Sequence, residues 1–230
     1  MKRALLILLL LLSGLSAPAG EPFTSTSAGR TLVYERTKAN GNVEYTTTMK
    51  YTGVRHEGGK TILDILFTIK SPAGKELYGG PAPMTTTVTA DGTTEQDLGA
   101  SLKAVLHNMF PGAAQEVESV PARLPANLKP GDRLPDAHCR VRTGVLTHTM
   151  EITEREVLRT ERITVRITVP AGTFDCVVLR EHKVEHGIGR ERDNICINWY
   201  APGIGPIRHD SYRDVNGILK MNAREVLKKY

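Results

Sequence analysis

The segment RITVRITV at residues 162–169 places apolar side chains at every second position, against arginine and threonine. A period of two is the spacing at which side chains of a β-strand share one face of a sheet. Residues 43–52 and 62–69 show the same alternation. Turn signals such as Asn40-Gly41 and Asn216-Gly217 separate these runs, and their short spacing favours hairpins over crossover helices. The sequence therefore predicts antiparallel meanders.

One segment departs from this period. Five large apolar residues follow at helical spacing: Leu98, Leu102, Val105, Leu106 and Met109. Thr94 and Asp97 resemble a capping box, and Pro111-Gly112 stops the run, so we expect one amphipathic helix at about residues 97–110. Its polar face carries few basic residues, which favours a helix packed on the sheet over a helix on a membrane surface.

The composition defines the class and the domain organisation. The chain has 230 residues, of which 40% are hydrophobic and 24% charged, which excludes a disordered chain. Residues 121–135 hold four prolines and predict a crossing loop between two runs of strands. We expect a flexible polar segment at 20–29, then a single β-rich domain at 30–230. The fold class is all-β: a large curved antiparallel sheet, a meander forming an open or half-barrel, with the helix packed on it.

The N-terminus has the layout of a secretory signal peptide. Lys2 and Arg3 precede an apolar run at 4–12, and small residues at Ala17 and Ala19 form a cleavage site. The apolar run is too short for the alternative, a membrane anchor, which needs roughly 20 residues. We expect cleavage near Ala19 and export to the periplasm or the medium, with no transmembrane segment in the mature chain.

The mature chain is only mildly basic. Removing Lys2 and Arg3 leaves 30 − 2 = 28 basic residues against 25 acidic ones, a net charge of +3. No basic run is interleaved with aromatic residues, so we expect no nucleic-acid partner.

Motifs for nucleophilic hydrolysis, aspartic proteolysis, zinc proteolysis and nucleotide binding do not occur in the mature sequence. His182 and His186 share a strand face but lie roughly 13 Å apart, too far for one metal ion. We therefore expect no catalytic residue, no metal site and no cofactor. A hydrolase would have to gather His182, His209 or Asp210 with a carboxylate of perturbed pKa in a cleft.

Arginine is preferred over lysine in the second half of the chain. Arg140 and Arg142 share a face with His138, and more arginines follow at 155, 159, 162 and 166. One interpretation is a basic face for anionic glycans or lipid headgroups. The interspersed acids favour the other, an outer sheet face on which arginines pair with glutamates: Glu151, Glu154, Glu156 and Glu161.

Three motifs in the second half carry a resemblance to a known family. They are GDRLPDA from Gly131, PAGTFDC from Pro170, and WYAPGIG from Trp199, which IRHDSY then follows. In this order they resemble the TapB-like family of exported bacterial proteins, from Gly131 to the C-terminus and less strongly from Gly29. The resemblance implies an envelope protein with a strongly curved antiparallel sheet, and it supplies no activity.

The same motifs have physical interpretations. Pro170 and Gly172 form a tight hairpin turn, after which Phe174 enters the core. Gly203 and Gly205 indicate a bulge or bend that reverses the chain. Trp199 shares parity with Ile195 and Ile197, and we expect all three to point inward.

Strand parity also predicts the state of the three cysteines. Cys139 and Cys176 fall on inward faces, whereas Cys196, with Asn194 and Asn198, falls outward as a lone thiol. Any disulfide would join Cys139 to Cys176, and two buried unpaired thiols are the alternative.

Three functions remain open. The first is a non-enzymatic exported protein that holds a lipid-like or apolar ligand on the concave face of its sheet. The second is a structural module that docks another envelope protein through a sheet edge. The third, and least favoured, is a hydrolase acting on envelope polymers.

Overall fold

The computed structural model describes residues 20–187 and 190–230, so the predicted signal peptide at 1–19 lies outside the described residues. The described part holds fourteen strands and one α-helix. The elements are β1 (Thr31–Lys38), β2 (Val43–Glu57), β3 (Lys60–Lys70), β4 (Ala82–Val88), β5 (Thr94–Gln96), α1 (Leu98–Met109), β6 (Gln115–Val120), β7 (Ala122–Leu124), β8 (Ala137–Thr143), β9 (Leu146–Val157), β10 (Val165–Val169), β11 (Gly172–Gly187), β12 (Arg190–Ala201), β13 (Gly205–Val215) and β14 (Ile218–Lys229).

The strands form one antiparallel sheet that curls into a nearly closed, barrel-shaped wall. Its order is β6-β8-β9-β11-β12-β13-β14-β1-β2-β3-β4-β5-β7, and β10 pairs with β11 off this path. Helix α1 packs against β4, β6 and β8, so it lies at the seam where the two ends of the sheet approach. The predicted all-β class, with a curved antiparallel sheet and one packed helix, is confirmed.

The burial pattern of β8 shows how an alternating sequence gives the sheet an inner and an outer face. Ala137, Cys139 and Val141 are buried, and the residues between them are exposed. An antiparallel sheet with one face on the core produces this pattern, because successive side chains point to opposite faces. Cys139 is buried, on the face that its parity predicts.

The helix begins one residue later than predicted, and its cap differs. Asp97 is the N-cap, and its carboxylate accepts a hydrogen bond from the backbone N–H of Ala100 at 3.0 Å. Thr94 belongs instead to β5, where its hydroxyl accepts a hydrogen bond from the backbone N–H of Phe23 at 3.0 Å. Gly99 lets the helix approach β6, because a Cβ there would meet Val117 Cγ1 at 2.8 Å.

Part of the segment at 20–29, which the sequence predicts to be flexible, packs into the core. Phe23, Thr24 and Ser25 are buried, and the Thr24 hydroxyl lies 3.1 Å from the Tyr51 hydroxyl. Gly203 donates its backbone N–H to the carbonyl of Pro22 at 2.8 Å. Small polar residues are typical of a flexible segment, but here the Thr24 hydroxyl forms a hydrogen bond with a buried group inside the wall.

The proline-rich residues 121–135 carry the chain from β6 to β8, as the prediction has it. They are also part of the core, because Leu124, Leu128 and Leu134 pack with Phe23. Strand β7 lies at one end of the sheet order. The prolines that flank it therefore remove no backbone hydrogen bonds from a central strand.

The two glycine motifs form the turns that their residues favour. Pro170 lies in the β10–β11 turn, where Gly172 pairs with Val169, and Phe174 beyond it is buried. Gly203 and Gly205, both with positive φ, reverse the chain between β12 and β13. A Cβ at Gly203 would meet the Glu21 carboxylate, so a larger residue here would displace the Glu21 side chain.

The predicted faces of β12 are wrong. Asn194, Cys196 and Asn198 are buried on the inner face, and Trp199 lies half-buried on the outer one. The parity rule placed apolar residues inside, but the interior at β12 is polar and uses both asparagines. The Trp199 ring is covered by the Arg208 guanidinium, 4.5 Å from its centroid.

The cysteines are all buried, and none is bonded to another. Cys139, Cys176 and Cys196 carry free thiols in the structure. Cys196 is not the exposed lone thiol that strand parity predicts, since it lies on the inner face of β12.

Candidate functional site

A cavity of about 440 Å³ lies inside the wall. Eight elements contribute to it: β1, β2, β3, β4, α1, β11, β13 and β14. Its lining comprises Tyr34, Tyr45, Thr47, Met49, Phe67, Ile69, Met84, Leu98, Ser101, Lys183, Pro206, Arg208, His209 and Glu225.

One side of the cavity is apolar and comes from strand pairing. Met49 pairs with Phe67, and Thr47 pairs with Ile69, on the inner faces of β2 and β3. Met84 on β4 extends this apolar side. These side chains are only half-buried, so apolar surface remains accessible inside the wall.

The cavity has a closed floor. One pair further along β2 and β3, Tyr51 faces Ile65, and each is only 2% exposed. The half-buried pairs above them lie toward the β1–β2 turn. The half-buried apolar side of the cavity therefore lies between this floor and the end of the wall that holds the β1–β2 turn.

The opposite side is polar, and a chain of hydrogen bonds organises it. Arg155 Nε donates to Glu181 Oε1 at 2.7 Å, and Asn198 Nδ2 donates to Glu181 Oε2 at 2.7 Å. Asn198 Oδ1 in turn lies 2.5 Å from His209 Nδ1, and His209 lines the cavity. Arg155 and Glu181 are almost fully buried, so this chain is anchored deep in the wall.

These hydrogen bonds determine which ring nitrogen of His209 carries the hydrogen. Because a carboxylate can only accept, Asn198 must aim its amide N–H at Glu181 and its oxygen at the imidazole. Nδ1 of His209 therefore carries the hydrogen, and Nε2 is left as an acceptor. Burial, with the charges of Lys183 and Arg36, lowers the pKa of His209 to about 3, so the ring is neutral at physiological pH.

Glu225 is the other carboxyl on this side. Its oxygen accepts a hydrogen bond from the Thr47 hydroxyl at 3.3 Å. Burial raises the pKa of Glu225, although the nearby positive charge of Arg36 opposes the shift. Arg36 itself is held by Glu44 at 3.1 Å. The cavity thus joins an apolar side to a polar side that His209, Lys183 and Glu225 line.

The structure does not bring the hydrolase candidates together. His209 faces inward, whereas Asp210, the next residue, points to the outer face. There Asp210 lies between Arg208 and Arg224, whose Nε atoms approach it to 3.0 and 2.9 Å. Burial favours the protonated form of Asp210, but the two arginines outweigh it and hold its pKa below the usual value.

The two strand histidines lie on the outer face and are separately paired. His182 Nε2 is 2.7 Å from Asp193, and His186 contacts Glu191. Across residues 20–187 and 190–230, no group of three or more potential ligands is arranged for a metal ion.

The arginine face is divided between the two sides of the wall. Arg140 and Arg142 lie outside and pair with Glu118 and Glu116, which are not the glutamates expected. Arg155 departs from the outer-face interpretation, because it is buried inside with Glu181.

Sequence reasoning missed most of the cavity. Its apolar residues were recognised as strand residues, but nothing in one strand shows which neighbours face each other across an interior. Lys183 and Glu225 could have been found by parity, since each lies on the mostly buried face of its strand.

Comparisons with known proteins agree with this fold. Residues 27–223 match the DUF3108-like family. A crystal structure from Bacteroides fragilis, of a candidate exported protein with a YmcC-like fold, is similar with a TM-score of 0.71 and 18% identity, covering 91% of this chain and 98% of that one. A candidate lipoprotein from Parabacteroides distasonis is similar with a TM-score of 0.70 and 19% identity, over the same shares.

At these identities the likeness shows the fold alone. No curated protein matches the chain. These matches do not confirm the resemblance of the three motifs to the TapB-like family. In the part of the chain that the structure describes, no helix is long and apolar enough to cross a membrane.

Proposed function

This chain belongs to the DUF3108-like family, and from that premise we propose that it is a non-enzymatic exported protein that binds a lipid-like molecule in its cavity. The observation that carries the proposal is the half-buried apolar side of the cavity, formed by Met49, Phe67, Ile69 and Met84. An apolar surface inside a protein gains free energy when a ligand replaces the water against it.

The export part rests on the N-terminus. Residues 1–19 have the signal-peptide layout, and cleavage near Ala19 would release the mature chain to the periplasm or the medium. The descriptions of the two similar crystal structures, as a candidate exported protein and a candidate lipoprotein, support the same compartment.

The size and chemistry of the cavity favour a single-chain amphiphile. About 440 Å³ is within the range of small-molecule pockets. The apolar side would take the alkyl chain, while His209 Nε2 and the Lys183 ammonium are positioned to contact a polar head. A single myristoyl chain partitions into a bilayer with a constant of about 10⁴ M⁻¹. A cavity that buries a comparable chain predicts a dissociation constant at or below about 100 μM.

A fluorescent fatty acid tests the proposal on delipidated protein. Ile69→Trp places a large ring in the cavity, whereas Leu66→Trp makes a similar change on the exposed outer face of the same strand. We expect wild type and Leu66→Trp to bind the probe alike, and Ile69→Trp to lose at least tenfold in affinity. If wild type does not bind, or if both variants bind equally well, the proposal is wrong.

One observation favours the second function, docking of an envelope protein. Strand β6 ends the sheet order, and Val117 and Val120 on it are exposed. An unpaired edge with apolar side chains can accept a strand from a partner. Photocrosslinking from position 120 in the native envelope would identify such a partner, and a crosslink-free result would remove this alternative.

A further inference from the structure

The turns at the end of the wall that holds the β1–β2 turn share a position that follows from the pairing of their strands. Lys38, the last residue of β1, pairs with Ala223, and Asp214 pairs with Leu219. The β1–β2 and β13–β14 turns therefore lie at the same end. The registers of β9 with β11, β11 with β12 and β12 with β13 bring the β8–β9 turn to this end as well. We call it the open end.

The tips at the open end are unusually apolar. Val145 in the β8–β9 turn is 99% exposed, and Ile218 in the β13–β14 hairpin is 62% exposed. Further exposed apolar side chains at this end are Val43, Leu146, Val215 and Leu219. Soluble proteins rarely gather this much apolar surface on protruding tips without a partner for it.

The opposite end is different. The N-terminal segment, the 121–135 linker and the β10–β11 hairpin pack across it and bury Phe23, Leu134 and Phe174. Among the described residues, Ile163 and Tyr230 are the exposed large apolar residues near that end. The apolar tips are thus concentrated at the open end.

The exposed charges at the open end favour an anionic partner. Lys38, Arg213 and Lys220 are exposed near the β1–β2 and β13–β14 turns. The exposed acids Glu191 and Glu116 at this end are paired, with His186 and Arg142. Asp214 is exposed too, but its carboxylate accepts the backbone N–H of Gly217 at 2.7 Å within the turn. Apolar tips bordered by basic side chains match the two layers of an anionic bilayer, headgroups outside and acyl chains beneath.

We propose that the open end docks on an anionic phospholipid bilayer, with the tips of the β8–β9 and β13–β14 turns inserted at the headgroup boundary. Docking in this orientation turns the open end of the wall toward the acyl chains. Exchange of a ligand between bilayer and cavity rests on the proposed function, whereas docking itself does not.

Vesicle flotation tests the docking, with vesicles of phosphatidylcholine containing increasing phosphatidylglycerol. We expect wild type to float with the vesicles, and increasingly so as phosphatidylglycerol rises. Ile218→Ser should lower the partition constant roughly tenfold, the ratio expected for one large apolar side chain. Ile163→Ser is the matched control, because Ile163 is also 62% exposed but lies near the other end. It should leave flotation unchanged.

Two results would overturn the inference. One is that the wild-type protein does not float with vesicles of any composition. The apolar tips would then have to contact a protein partner instead of a bilayer. The other is an equal loss in Ile163→Ser and Ile218→Ser. The binding assay with the soluble fatty-acid probe distinguishes a failure of the docking proposal from a failure of the proposed function. Probe binding without flotation refutes docking alone, and flotation without probe binding refutes the cavity ligand alone.

Discussion

Replacing Glu181 by Gln removes the charge that neutralises Arg155 inside the wall. The two side chains are 9% and 1% exposed, and Arg155 Nε lies 2.7 Å from Glu181 Oε1. Arg155 also donates to the carbonyl of Pro135 at 2.9 Å, so it cannot leave its site easily. Breaking a buried pair by removing one partner destabilises a protein by about 3–5 kcal/mol. We expect Glu181→Gln to lose about 3 kcal/mol, since glutamine still accepts a hydrogen bond.

The same two strands provide the control. Arg180 and Glu154 form an Arg–Glu pair on the outer face of β9 and β11, at 3.2 Å, with side chains 34% and 61% exposed. Exposed pairs contribute about 0–1 kcal/mol because water screens them. Glu154→Gln should therefore change the free energy of unfolding by less than about 1 kcal/mol.

Urea unfolding followed by circular dichroism measures both variants. A loss of about 3 kcal/mol is a large share of the roughly 5–15 kcal/mol that stabilises a typical domain. A difference between Glu181→Gln and Glu154→Gln of less than about 1 kcal/mol would refute the account of a buried polar chain that positions His209.

Three further predictions concern titratable groups. Because the folded pKa of Asp210 is lowered, its stabilisation is present above the unfolded pKa of about 3.9 and is lost as the pH falls through the folded value. Asp210→Asn should thus be destabilised at pH 7 and approach wild type below about pH 4 in pH-dependent unfolding; a constant difference would contradict this. Burial raises the pKa of Cys139 and Cys196 to about 11 and that of Cys176 to about 12, so a thiol reagent at pH 8 should label none in native protein and three after unfolding; rapid native labelling would show an open interior. In ¹⁵N NMR, His209 should remain neutral with hydrogen on Nδ1 from pH 8 to 5, and titration near 6.5 would break the inferred chain.

The fold could be predicted because its pattern is local. The alternation at 162–169 and the turn at Pro170 predict the β10–β11 hairpin, and the helix was found within one residue at each end. Both signals lie within a few residues of chain, where strand and helix periods are unambiguous.

The faces of β12 could not be predicted because they depend on distant residues. Parity assigns Ile195 and Trp199 to the core on hydrophobicity alone. The interior instead holds Glu181 and His209, which Asn198 joins by hydrogen bonds. The cost of leaving buried polar groups unpaired outweighs the gain from burying one more apolar side chain.

The N-terminal segment shows the same limit. Thr24 and Ser25 have the composition of a flexible lead-in, yet both are buried beside Tyr51 and its neighbours. The cavity combines side chains from eight elements, so it exists only once the sheet has curled around α1.

Native mass spectrometry of the mature protein purified from its own envelope tests the central claim most directly. The account predicts a population heavier than the bare chain by the mass of an acyl-chain lipid, which is absent in Ile69→Trp and retained in Leu66→Trp. Repeated recovery of the bare chain alone, with no uptake of a fatty acid added after purification, would contradict it.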